Sequence, residues 1–361
     1  MTGIPAAGRA PATGGPGVST AAPQGLDLAA VTRYLDRTTP GLLTGPLTGR
    51  LISGGRSNLT YLVTDGVRTW VVRRPPMGHV LDTAHDMGRE YRVMAALGSS
   101  EVPVPEMVAL CREPEVIGAP FYVMSYVEGT VYRTGEQLSA VTPSAAVALA
   151  DGLVDVLARL HAVDAEAVGL GDLGRPSGYL ERQVRRWGKQ LAASRSRELP
   201  ELAELSRRLG ESLPESQRAG LVHGDYKLDN ILVSVSEPGR ALAVLDWEMA
   251  TLGDPMMDVV NVVLWWDGVR DTDGAPFAAV PAEVPGFPPS SYLVDRYAAA
   301  TGARLESLPW YLGLACYKMA AIFEGIYYRD SQGLTVGEGF EMIGRLPPAL
   351  ARRGHEYLGR R

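Results

Sequence analysis

The chain has 361 residues, 46% of them hydrophobic, with 35 Lys and Arg against 41 Asp and Glu, a net charge of −6. This length exceeds one comfortable core, so two lobes are expected, and the negative balance argues against a general nucleic-acid binder. Cys111 and Cys316 stand far apart and make no metal or redox motif, which fits a reducing cytoplasm; no apolar run reaches membrane-spanning length, since Asn261 interrupts the longest, residues 259–266.

Residues 1–24 are rich in Ala, Gly, Pro and Thr and lack a basic start followed by an apolar stretch. A disordered tail is expected there, not a secretory signal. Leu26, Leu28, Val31 and Leu35 then predict a helix over residues 26–35. Residues 51–63 read as strand, small-residue loop and strand, with Gly54 and Gly55 in the loop. Such glycines let backbone N–H groups approach phosphate oxygens, although a plain hairpin turn has the same pattern and no Walker lysine follows.

Residues 68–75 predict a strand ending at the prolines. Alternation sets Val71 and Arg73 on one face and Trp70, Val72 and Arg74 on the other. Residues 88–97 carry Val93, Met94 and Leu97 at helical spacing, with Glu90 in the first turn. Residues 121–129 form a strand that leads through Ser125 and Val127 into the second half of the chain.

Beyond residue 130 the pattern turns helical. Thr142 and Pro143 start a helix that Val147, Leu149, Leu153, Val156, Leu157 and Leu160 continue and His161 ends. His161 reads as a packing or capping residue. A further helix over residues 179–192 places Leu180, Val184, Trp187 and Leu191 on one face. Arg182, Arg185, Arg186 and Lys189 lie opposite, with Arg195 and Arg197 just beyond. This basic stripe reads as a solvated face or as a docking surface for an anionic acceptor.

The most informative stretch is residues 223–230, His-Gly-Asp-Tyr-Lys-Leu-Asp-Asn, with Asp246-Trp247-Glu248 following sixteen residues after Asn230. Apolar runs precede both pieces, so short strands are expected to present Asp225, Asn230 and Asp246 together. One carboxylate can orient an attacking hydroxyl and take its proton, while an amide oxygen and a second carboxylate can hold Mg²⁺ against phosphates. Asp258 is expected to cap a helix and bond back to this loop. Residues 267–290 read as a loop, and residues 311–328 as an apolar helix.

On these motifs the chain, over roughly residues 26–350, resembles the aminoglycoside phosphotransferase and choline kinase group of small-molecule kinases. It is most similar to the kinase-like domains fused to some acyl-CoA dehydrogenases, which act as hydroxyacyl-CoA kinases. The resemblance implies an α+β, bilobal, protein-kinase-like fold: a small β-rich lobe over residues 25–127 and a larger, mostly helical lobe over 128–361. It implies Asp225 as catalytic base, Lys227 at the γ-phosphate, and Asn230 and Asp246 as metal ligands. It makes His223 architectural. It places Gly54 and Gly55 over the nucleotide and Arg73 at its phosphates, held by Glu90, with Arg74 as the alternative cation. Ser125 and Val127 would meet the adenine through main-chain groups, although many relatives carry Glu where Ser125 stands. The implied cofactors are ATP or GTP and Mg²⁺. The implied partner is a small-molecule acceptor, with no nucleic acid or membrane, and the oligomeric state stays open. The acceptor would be a hydroxyacyl-CoA; an aminoglycoside is the alternative, and a non-catalytic nucleotide-binding pseudokinase a second one.

Overall fold

In a computed structural model of the protein, which describes residues 23–53, 58–77, 86–194, 197–268, 279–333 and 342–359, caps and apolar spacing account for the first elements. Asp27 accepts the Ala30 N–H at 2.9 Å and starts α1 (Leu28–Thr38), whose Ala30, Val31, Tyr34 and Leu35 are buried. The strands β1 (Thr48–Ser53), β2 (Leu59–Thr64) and β3 (Thr69–Arg74) follow, then α2 (Met87–Leu97), β4 (Met107–Cys111) and β5 (Phe121–Ser125). The five strands form one sheet in the order β1-β2-β3-β5-β4. The pairs β1–β2, β2–β3 and β3–β5 are antiparallel, with Trp70 opposite Ser125 and Arg73 opposite Tyr122.

Period-two alternation divides this sheet's faces. Tyr61, Val63, Trp70, Val72, Phe121 and Val123 lie on one side and form a single core with Val31, Tyr34 and Leu35 of α1. The chain divides into two compact units, Met1–Met87 with Val108–Tyr126, and Gly88–Met107 with Val127–Arg361.

The second unit is helical. Thr134 and Gln137 form a reciprocal cap on α3 (Gly135–Ser139). Thr142 caps α4 (Pro143–Ala162), with the proline at its first position. Then come α5 (Tyr179–Ala193), α6 (Pro200–Glu211), β6 (Gly220–Val222), β7 (Ile231–Val233), β8 (Ala241–Val244), β9 (Thr251–Gly253), α7 (Met256–Asp267), α8 (Ser290–Thr301), α9 (Leu308–Ser331) and α10 (Leu346–Gly359). Two antiparallel ribbons, β6–β9 and β7–β8, hold the loop between β6 and β7 and the turn after β8. The apolar helix α9 packs against α5, α6, α7 and α10.

Several elements differ from the sequence reading. Val147, expected on the apolar face of α4, is 38% exposed. Within the stretch read as loop, residues 281–283 make one 3-10 turn and Ser290 starts α8. The helices α6, α8 and α10 and the strand β9 were not anticipated. Among the described residues no helix is long and apolar enough to cross a membrane.

Candidate active site

The loop after β6 is gripped at its backbone. Gly224 sits at φ +86°, and a Cβ there would lie 2.7 Å from the Met249 carbonyl oxygen, so conformation and space both demand glycine. Asp258, fully buried in the first turn of α7, accepts the His223 N–H at 2.7 Å and the Gly224 N–H at 2.8 Å. It does not cap its helix as expected; Asp254 accepts the Met256 N–H at that end, at 3.0 Å. His161 Nε2 reaches Asp258 at 3.3 Å while its Nδ1 meets the Tyr297 hydroxyl at 2.7 Å. Burial pushes the His161 imidazolium down; neutral His161 then donates from Nε2 to the carboxylate and accepts from the tyrosine. Asp258 is pushed up by burial, but His161 and the His223 N–H outweigh this and hold it below the usual carboxylate range.

Both ring nitrogens of His223 are committed. Nδ1 accepts the Asp225 N–H at 3.2 Å and Nε2 donates to the Leu245 carbonyl at 3.0 Å. The imidazole thus ties the loop to the end of β8. The Leu245 N–H in turn donates to the Asn230 carbonyl at 2.9 Å, so Asp246 follows a residue already bonded to the loop. Asp246 itself stands at φ 69°, ψ 61°.

Around Asp225 the side chains converge. Asn230 Nδ2 donates to the Asp225 carbonyl at 2.9 Å and to Oδ2 at 3.2 Å. Lys227 Nζ lies 3.2 Å from Asp225 Oδ2, 3.7 Å from Asp229 Oδ2, and over the Trp265 ring at 4.3 Å from its centre. Burial alone would lower the Lys227 ammonium, but the carboxylates of Asp225 and Asp229 outweigh it and raise it, so Lys227 stays charged. Burial raises Asp229. With its Nδ2 turned to Asp225, the other amide atom of Asn230 is an oxygen, a hard donor of the kind Mg²⁺ prefers, as is the carboxylate of Asp246. Among the described residues no three His, Cys, Asp or Glu side chains form a ready metal cage. A sparse donor set suits Mg²⁺, which usually takes one or two protein oxygens together with phosphate and water.

Beside Lys227 is a small cavity of about 20 Å³, walled by Asp229, Trp265, Tyr132, Leu153 and Pro281. Asp229 Oδ1 and Trp265 Nε1 are buried without a hydrogen-bond partner among the described residues. Both residues line the cavity, whose wall is otherwise mostly apolar.

The remaining expected residues fall as follows. Gly54 and Gly55 lie outside the described residues. Arg74 is buried and its guanidinium donates to the carbonyls of Gly25 at 2.6 Å, Ile117 at 3.1 Å and Pro75 at 3.2 Å, a structural commitment. Arg73 lies on the other face of β3, half-buried. Glu90 is fully buried in α2 and belongs to the other unit. Ser125 ends β5, and the next residue, Tyr126, donates its N–H to the Thr69 carbonyl at 3.2 Å, ahead of Val127. The basic stripe is smaller than expected. Arg182 donates to the carbonyls of Arg175 and Ser177, and Arg197 pairs with the buried Glu324 at 2.8 Å. Arg195 lies outside the described residues. Arg185, Arg186 and Lys189 remain exposed.

Sequence reasoning missed Lys318, Trp265 and the role of Asn261, which donates to the Tyr226 carbonyl at 3.0 Å. Lys318 and Asn261 did leave a signal: each is a polar residue flanked by apolar neighbours within its helix.

Residues 48–288 match the model of the phosphotransferase enzyme family, APH. The chain is similar to acyl-CoA dehydrogenase family member 11 of Gallus gallus, at 34% identity over 345 residues, 92% of this chain and 44% of that protein. It is also similar to acyl-CoA dehydrogenase family member 10 of Mus musculus, at 33% identity over 337 residues, 90% of this chain and 31% of that protein. The chain thus spans less than half the length of these curated relatives. A crystal structure from Ralstonia eutropha JMP134, whose designation as an aminoglycoside phosphotransferase is provisional, is 33% identical with a TM-score of 0.80, covering 92% of this chain and 98% of that one.

Proposed function

Because the chain belongs to the phosphotransferase enzyme family and is a kinase with a hydroxyl acceptor, we propose that it moves the terminal phosphoryl group of ATP or GTP onto the hydroxyl of a hydroxyacyl-CoA thioester. The observation that carries this reading is the Asp225 carboxylate, pinned by Asn230 Nδ2 and flanked by the Lys227 ammonium at 3.2 Å. Asp225 is the base. It orients the acceptor hydroxyl and takes its proton as the O–P bond forms, when the hydroxyl becomes acidic. A carboxylate within hydrogen-bond reach is base enough for a proton released so late. Lys227 offsets the charge gathering on the transferred phosphoryl oxygens.

Asn230 and Asp246 would hold Mg²⁺. Bound there, the ion supplies charge neutralisation and alignment of the phosphates. Arg73 is the phosphate-binding cation of the first unit, since Arg74 is occupied by three backbone carbonyls. Gly54 and Gly55, with main-chain groups near Ser125 and Val127, complete the proposed nucleotide contacts. Glu90 is proposed to support the phosphate-binding cation.

Two features favour an acyl-CoA over an amino sugar. The similarity runs to proteins named as acyl-CoA dehydrogenase family members. The exposed Arg185, Arg186 and Lys189 of α5 offer positive charge that suits an anionic thioester and repels a polycation. The aminoglycoside reading draws on the provisional designation of the Ralstonia relative. One experiment separates them: ADP release with ATP and Mg²⁺ over a panel of hydroxyacyl-CoA thioesters and kanamycin. Turnover of a thioester with saturable kinetics supports the proposal; efficient turnover of kanamycin with inert thioesters overturns it.

A further inference from the structure

Lys318 is a cation in an unusual place. It lies on α9 among Leu314, Ala315, Cys316, Tyr317, Met319 and Ala320, all buried, and is itself 7% exposed. Burying an ammonium is costly unless its charge is answered. Among the described residues it has no ion pair. Its Nζ donates instead to the Gly224 carbonyl at 2.7 Å, with the Trp187 ring 5.9 Å away.

That carbonyl belongs to the peptide whose N–H is that of Asp225. The N–H side is taken by His223 Nδ1. The preceding peptide, through the Gly224 N–H, is held by Asp258. Two helices therefore grip successive peptides of the loop from opposite electrical signs: a carboxylate on α7 takes the N–H, an ammonium on α9 takes the C=O. Gly224, at φ +86°, lacks a side chain to resist rotation of these planes. Without Lys318 the 224–225 peptide keeps only its long bond to His223.

We infer that Lys318 is a positioning residue for phosphoryl transfer: by fixing the Gly224 carbonyl it sets the orientation of the peptide that carries Asp225. The inference rests on Asp225 acting as the base. Burial pushes the Lys318 ammonium down from its ordinary value, while the Asp225 and Asp258 carboxylates act the other way. Misplacing a reacting group by about 1 Å can cost on the order of 10²-fold in rate. Loss of the Lys318 bond should act on turnover and leave nucleotide binding alone.

The test compares Lys318→Met, which keeps the volume and removes the donor, with Lys318→Arg, which restores a cationic donor. ADP release is followed with water as acceptor and with the best acceptor of the panel, and nucleotide Kd and Tm are measured for each protein. The expected result for Lys318→Met is a kcat loss of about 10- to 100-fold with Kd within twofold of wild type, and for Lys318→Arg recovery of most of that loss. An unchanged kcat in Lys318→Met overturns the inference. So does an equal loss in both variants at unchanged Tm, or a loss that follows nucleotide Kd. Asp225→Asn is run in parallel: if it retains turnover, the base assignment itself has failed, whereas an inactive Asp225→Asn beside a fully active Lys318→Met removes only the role given to Lys318.

Discussion

Asp246 is the one non-glycine residue with positive φ among the described residues. A left-handed conformation at an aspartate costs on the order of 1 kcal/mol and persists where the surroundings over-determine it. Here the Leu245 N–H and C=O are both taken, by Asn230 and His223, so the backbone is delivered into that turn. If Asp246 holds Mg²⁺, Asp246→Ala should abolish the preference for magnesium nucleotide over metal-free nucleotide, read by calorimetry. An undiminished preference would remove Asp246 from the metal site. The two arginines at the end of β3 separate in the same way. Arg74→Ala should lower Tm, because three carbonyls lose their donor, whereas Arg73→Ala should raise the nucleotide KM by tenfold or more at unchanged Tm, roughly the effect of one charged phosphate contact. Equal Tm losses in both would end the distinction. Asp225, Asn230 and Asp246 were legible because the reaction fixes residue types at short spacings. Trp265 was not, since an indole in an apolar helix leaves the same trace whether it packs or lines a cavity. The stripe on α5 misled in part. Helical spacing shows which arginines share a face, but not that Arg182 turns back to the Arg175 and Ser177 carbonyls.

At the level of elements, α4, α7 and the catalytic loop are joined by His161 and Asp258. Their protonation makes the joint acid-sensitive. His161 is buried and neutral in the folded protein, with its folded pKa lowered by burial. The unfolded histidine takes a proton near pH 6.5, so below that value the unfolded state binds more protons and stability falls. Asp258 works in the same direction at lower pH: its lowered folded pKa gives stability present above about pH 3.9 and lost as pH falls through the folded value. We predict a loss of up to about 1 kcal/mol of stability from His161 between pH 7 and pH 5.5, seen as a falling Tm, and a flatter profile in His161→Gln. Identical profiles would show that His161 does not report on this joint. The strands β6 and β8 were readable as the apolar runs before the two motifs. The strand β9 was not, because three residues of Thr-Leu-Gly carry no alternation to detect. The helices α6 and α10 do carry apolar stripes, Leu202, Leu205 and Leu209 on the first, but dense arginine and glutamate around them obscured the period.

For the whole molecule, the change from alternating to helical patterning near residue 127 indicated an α+β chain with a sheet and then helices, and the five-stranded sheet and the helical second unit have that character. Family membership makes the protein a phosphotransferase. The acceptor was the least legible feature, since no motif in the sequence specifies it and the cavity beside Lys227, about 20 Å³, has room for little more than a water. Charge offers one handle on it. If Arg185, Arg186 and Lys189 dock an anionic thioester, replacing all three with Ala should raise its KM several-fold and flatten its salt dependence, while an unchanged KM returns them to a solvated face. The central claim is narrower than the acceptor and is tested most directly by the turnover of Asp225→Asn. With nucleotide Kd within twofold of wild type, kcat should fall by about 10²- to 10⁴-fold, the loss of a positioned base. Retention of more than a tenth of wild-type kcat would contradict the assignment of Asp225 and the mechanism built on it.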